Sequence, residues 1–142
     1  MNFLWVYGSA FLACLCCIWA FWQGGRVEKY AAAIIFVAWV LSSLLQSHNG
    51  KGPGIWVELI DIVVLILFAA LSLWSRRIWT LFITACQLDA VASHLVAHLT
   101  HFGVFSYLTA TGLWGGEGLL IALAFGIVGY QKQQKLERRL TS

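Results

Sequence analysis

Five long apolar segments separated by short polar gaps make up most of this chain. They cover about residues 3–22, 30–45, 55–74, 78–99 and 104–130, and residues 131–142 form a charged tail. Each segment approaches the roughly 20 residues that an α-helix needs to cross a ~30 Å hydrocarbon core. The pattern therefore predicts an all-α protein, an integral membrane bundle of five transmembrane helices that forms a single domain over residues 1–142.

The composition supports this prediction. Hydrophobic residues are 61% of the 142 and charged residues 11%, with a mean hydropathy of +0.81. Soluble globular domains carry about a quarter charged residues, so the chain belongs to the membrane class. The net charge of +3 is spread over gaps and tail. No nucleic-acid partner is expected, because that would require a basic patch on a solvated surface.

The basic residues occupy alternate gaps and predict the orientation. One side of the membrane receives Arg26, Lys29, Arg76, Arg77 and the tail, whereas the other side receives only Lys51. Basic loops stay on the cytoplasmic side of a membrane. We therefore expect a multi-pass protein of the bacterial inner membrane with its N-terminus outside and its C-terminus in the cytoplasm.

The fourth segment carries more polar residues than its apolar length would suggest. Between Trp79 and His101 it contains Gln87, Asp89, Ser93, His94 and His98. At ~100° per residue, Gln87 shares one helical face with the three histidines, whereas Asp89 and Ser93 lie on another face. A helix with two polar faces is costly to expose to lipid, so we expect this helix to lie at the centre of the bundle.

An outer cluster of ionisable residues is the first candidate site. The predicted topology brings six of them to one depth: His48, Glu58, Asp61, His94, His98 and His101. Such a set could bind haem, quinone or a transition metal. The alternative is hydrogen bonding between helices, in which a histidine of the fourth helix pairs with the carboxylates of the third.

A second candidate lies near the middle of the membrane. Gln87, Asp89 and Glu117 fall at similar depth, and Glu117 requires either an internal partner or protonation. They could form a proton or ion pathway, or only structural hydrogen bonds. Gly112 and Gly116 form a G-x-x-x-G surface for helix packing. The run of glycines around Glu117 could instead unwind the helix locally.

The segment from Ser75 to His94 resembles short hydrophobic membrane proteins of alphaproteobacteria, a resemblance that implies no activity. No catalytic motif is recognisable, so we expect no catalytic residue. The first hypothesis is a non-catalytic subunit or interaction protein of a larger respiratory or photosynthetic type of membrane assembly. Its partners would be the lipid bilayer and other membrane subunits or further copies of the chain. The second hypothesis is a haem-, quinone- or metal-binding membrane protein, and the third is a small proton-coupled transporter or channel.

Overall fold

All the regular structure described for this chain is helical, as the apolar pattern predicts. The computed structural model describes residues 3–45, 54–99 and 113–141, with side chains for 8–9, 11–45, 54–96 and 116–141. The helices are α1 (Phe3–Gln23), α2 (Arg26–Leu45), α3 (Ile55–Ser75), α4 (Ile78–Leu99), a π-helical segment (Leu113–Gly118) and α5 (Leu119–Leu140). Within the described ranges, three stretches are long and apolar enough to cross a membrane: Arg26–Leu45, Ile55–Ser75 and Ile78–Val96. Phe11–Gln23 is a shorter apolar helix.

The ends of α1, α3 and α4 agree closely with the prediction, whereas α2 begins earlier and α5 ends later than predicted. The predicted start of the fifth segment, residues 104–112, lies outside the described residues. The second helix begins at Arg26 rather than near residue 30. Its first turn is charged but packs into the bundle, with Val27 and Glu28 buried. The charged tail continues α5 as one helix to Leu140, and Arg138 and Arg139 in its last turn suit the negative end of the helix dipole.

A turn of two residues joins α3 to α4. Arg76 takes the left-handed conformation at φ 52°, and its N–H donates to the carbonyl of Ser72 at 2.9 Å, which closes α3 in the usual way for a helix end. The Thr80 hydroxyl donates to the carbonyl of Arg77 at 2.6 Å and fixes the first turn of α4. The two helices therefore run antiparallel and side by side.

The helices form a ring in which each packs against the next along the chain. α5 closes the ring by packing against α1 and α4, and it also contacts α2. In the described residues α4 packs mainly against α3 and α5. The expectation of a central fourth helix is therefore wrong. Its outer side is exposed and bears Leu81, Leu88 and Leu95, which are apolar enough to face lipid.

The core combines small residues on two helices with large apolar residues on the others. Ala20 of α1 and Ala31 and Ala32 of α2 are fully buried, so these helices approach closely. The large side chains that fill the remaining space are Phe68, Ile83, Leu123 and Ile127, each fully buried. The bundle therefore has one continuous interior to which every helix contributes.

Gly126 of α5 lies directly against the indole of Trp79 on α4. A Cβ at this position would be 2.7 Å from Cε2 of Trp79, closer than carbon atoms can approach. At Gly129, three residues further along the same helix, a Cβ would meet nothing within 4 Å. The packing of α4 on α5 therefore requires a glycine at position 126 and not at position 129.

Gly126→Ala should lower the free energy of unfolding by about 1–3 kcal/mol, since the added methyl must displace a large ring. Gly129→Ala is the matched control and should be neutral or stabilise by up to about 1 kcal/mol, because alanine favours helix over glycine. Thermal unfolding in detergent micelles, followed by helical circular dichroism, measures both. Equal stability of the two variants would contradict this account of the contact.

Candidate functional site

Three polar side chains meet between α3 and α4, and we call them the Asp61 cluster: Asp61, Gln87 and His94. Oδ2 of Asp61 lies 2.8 Å from Nε2 of His94. Oδ1 of Asp61 accepts from the side-chain amide of Gln87 at 3.1 Å, and the same amide lies 3.2 Å from the backbone carbonyl of Asp61. Both carboxylate oxygens are therefore bound by residues of α4.

Helix geometry explains how α4 supplies both partners. Gln87 and His94 are seven residues apart, which places them two turns apart on one face. Both are buried, at 1% and 6% exposure. Asp61 lies in the second turn of α3, directly opposite. Buried polar groups need hydrogen-bond partners, and these three residues satisfy one another across the helix interface.

The predicted pairing of a fourth-helix histidine with a third-helix carboxylate is confirmed, for His94 and Asp61. Glu58, one turn before Asp61, is half-buried. Gln87 has its described hydrogen bonds within the Asp61 cluster, because its long side chain reaches the neighbouring helix. Its predicted arrangement with Asp89 and Glu117 at one membrane depth stays a prediction.

The rest of the predicted outer cluster lies beyond the part of the chain that the structure describes. His48 and His101 are outside the described residues, and of His98 only the backbone is described. Among the described side chains, no group of three His, Cys, Asp or Glu residues could hold a metal ion. A haem, quinone or metal site that includes these histidines stays a prediction.

The Asp61 cluster has clear chemical capacities. A carboxylate on one ring nitrogen orients an imidazole, which is the way proteins position histidines that bind metals or transfer protons. In this bundle the same contact ties α3 to α4.

Asp89 lies near the middle of α4 and points out of the bundle. Its side chain is exposed, and Ala85, Leu88 and Ala92 on the same side are exposed too. The Ser93 hydroxyl donates to the backbone carbonyl of Asp89 at 2.8 Å, not to its carboxylate. Within the described residues this carboxylate has no hydrogen-bond or ion-pair partner.

Glu117 lies in the π-helical segment Leu113–Gly118 and is half-buried. The glycine run therefore departs from a regular α-helix and forms a wider, π-helical turn. Such turns are frequent at functional sites. Gly116 faces Trp39 with ordinary room, since a Cβ would be 3.7 Å from that ring. Gly112 lies outside the described residues. Because Asp89 faces outward, it does not share the bundle interior with Glu117.

A buried ion pair that the sequence pattern did not predict lies at the opposite end of the bundle. Glu28 is fully buried, and its Oε1 accepts from the Arg77 guanidinium at 2.5 Å. Its Oε2 has no hydrogen-bond partner in the part of the chain described. The guanidinium also lies 5.9 Å from the ring centroid of Tyr130. The available signal was one acidic residue between Arg26 and Lys29 in a basic gap.

Removing the Asp61 carboxylate should destabilise the protein. Asp61→Ala removes the carboxylate that both Gln87 and His94 contact, and the loss of these buried hydrogen bonds costs about 1–3 kcal/mol. Asp89→Ala removes the same group from the outer side of α4 and should not lower the stability of the monomer. Chemical unfolding in a mild detergent compares the two variants. A similar loss in both would show that the position of the carboxylate is irrelevant.

Arg77→Gln should destabilise the bundle because Glu28 would remain buried without its cation. Breaking a fully buried pair costs about 3–5 kcal/mol, and we expect about 1–3 kcal/mol here because water reaches part of the arginine. Adding Glu28→Gln to the same chain should restore most of the stability. Arg76→Gln, at the exposed neighbouring position, is the control for loss of a basic residue and should have little effect on unfolding.

The chain matches no protein-family model, no curated protein and no solved structure. Its candidate sites are therefore defined by its own geometry: the Asp61 cluster, the outward Asp89 and the Glu28–Arg77 pair.

Proposed function

We propose that this chain is a five-span protein of the bacterial inner membrane that acts as a non-catalytic subunit or interaction protein of a larger membrane assembly. Its N-terminus lies outside and its C-terminus in the cytoplasm. A helix of the partner packs on the α4 outer face, which consists of the exposed residues Leu81, Phe82, Ala85, Leu88, Asp89, Ala92, Leu95 and Val96.

The outward position of Asp89 is the observation that carries this proposal. An aspartate at the centre of a membrane helix costs about 2.5–3.5 kcal/mol when it faces lipid. The carboxylates of Asp61 and Glu28 have partners within the chain, whereas that of Asp89 has none among the described residues. A donor on a partner helix would offset the cost of Asp89.

The residues around Asp89 suit close packing of a second helix. Ala85 and Ala92 lie one turn to either side on the exposed surface, so their short side chains allow another backbone to approach. Small residues combined with one strong hydrogen-bonding group are typical of helix contacts in membranes, where apolar area alone gives little preference for protein over lipid.

Two contacts support the proposed orientation. Arg77 binds Glu28, and Gln131 donates to Gln23 at 2.7 Å, so the gaps before α2 and α4 meet the start of the tail. The basic segments therefore gather at one end of the bundle. The positive-inside rule assigns that end to the cytoplasm.

Asp89→Leu tests the proposal in native membranes. The wild-type protein, extracted in a mild detergent and separated on a native gel, should migrate as a complex larger than the monomer. The variant should run as a monomer, because leucine removes the group that a partner binds. Two differently tagged copies expressed together distinguish a homo-oligomer from a complex with other subunits.

Ile66→Ala is the control, since it alters an exposed side chain on α3 away from the proposed contact. It should leave the complex intact. The proposal fails if Asp89→Leu keeps the wild-type complex, or if the variant loses the complex only because its monomer unfolds.

A further inference from the structure

A polar cavity lies at the basic end of the bundle, between the end of α1 and the extension of α5. It has a volume of about 440 Å³ and is lined by Gln23, Tyr130, Gln131, Gln134, Lys135 and Arg138, among others. We call it the basic cleft. It is separate from the Asp61 cluster and from the α4 outer face.

The cleft arises because α5 is longer than its neighbour. Gln131, Gln134, Lys135 and Arg138 recur at helical spacing and form one face of α5. This face continues past Gln23, the last residue of α1. The Gln131 amide donates to the side-chain carbonyl of Gln23 at 2.7 Å and holds the two helices together at the base of the cleft.

Hydrogen bonds within the wall occupy Gln23 and Tyr130 as acceptors and leave a donor on each of them. The side-chain oxygen of Gln23 accepts from both Trp19 Nε1 and the Gln131 amide. The Tyr130 hydroxyl accepts from the Gln134 amide at 2.8 Å. Gln23 therefore keeps its NH₂ group, and Tyr130 its O–H, to offer a ligand.

The charges lining the cleft have one sign. Lys135 and Arg138 line it, and both side chains are exposed and able to reach a ligand. The nearest acidic residue along the helix, Glu137, is not among the residues that line the cleft, and its carboxylate accepts from Gln133 at 3.3 Å. Two cations next to neutral donors form a site for an anion with several oxygens, such as a phosphate group.

We propose that the basic cleft binds the phosphate headgroup of an anionic phospholipid. The apolar surface that leads away from it favours a lipid over a free anion. Trp22 lines the cleft and is 85% exposed, and Ile18 and Leu15 continue the same face of α1 towards the middle of the bundle. An acyl chain would lie along this strip with its headgroup among the donors, at the level where tryptophan marks a membrane interface.

The test measures binding of phosphatidylglycerol to delipidated protein by native mass spectrometry, with phosphatidylcholine as the neutral reference. The wild-type protein should retain phosphatidylglycerol preferentially. Lys135→Gln with Arg138→Gln should weaken its binding roughly 30-fold, as expected for loss of two basic contacts with an anionic lipid. Lys132→Gln with Arg139→Gln removes the same charge from the other side of the same helix and should change binding less than about twofold.

Four outcomes would overturn the proposal: equal loss in the two double variants, no loss in Lys135→Gln with Arg138→Gln, equal binding of the two lipids, or complete displacement of the lipid by millimolar inorganic phosphate. All four substituted side chains are exposed, so the variants should keep the wild-type helical circular dichroism. Lipid binding in the cleft does not depend on the α4 partner, because Asp89 does not line the cleft. Asp89→Leu should therefore bind phosphatidylglycerol like the wild-type protein.

Discussion

A carboxylate inside an apolar bundle must find its hydrogen-bond donors within the protein, because lipid offers none. Asp61 meets this constraint by spreading its two oxygens over Gln87 and His94, and so joins α3 to α4. Glu28 meets it with Arg77 at the other end of the bundle. Both contacts fix the register of α4. The Glu28–Arg77 pair holds its start, and the contacts of Asp61 with Gln87 and His94 hold its second half.

Among the carboxylates of Asp61, Glu28 and Asp89, that of Asp89 is the exception to this constraint, because its side chain points out of the bundle. It lies on the same helix as Gln87 and His94 but on the side that the ring of helices leaves exposed. Its carboxylate has no hydrogen-bond or ion-pair partner among the described residues. In the proposed assembly, a donor on a partner helix would offset the cost of placing this carboxylate against lipid.

The basic end of the bundle links packing to the membrane surface through one aromatic residue. The ring of Tyr130 lies beside the Arg77 guanidinium that neutralises Glu28, and its hydroxyl faces the basic cleft. Gly25 makes room for this ring, because a Cβ there would lie 2.7 Å from it. Tyr130 therefore contributes both to the surroundings of the ion pair and to the wall of the cleft.

The sequence by itself determined the helices, because long apolar runs and the glycines between them mark where helices begin and end. The first turn of α2 is predicted as a loop, because a glutamate between two basic residues is typical of a solvated segment. Arg77, the partner that allows Glu28 to be buried, lies 49 positions away along the chain. The sequence also determined that Gln87 and His94 share a face that Asp89 does not. Only the tertiary structure decided which of these two polar faces points inward. Helical periodicity fixes the angles between residues on one helix, but not which face meets its neighbour. Here the neighbouring helix presents Asp61, which binds Gln87 and His94.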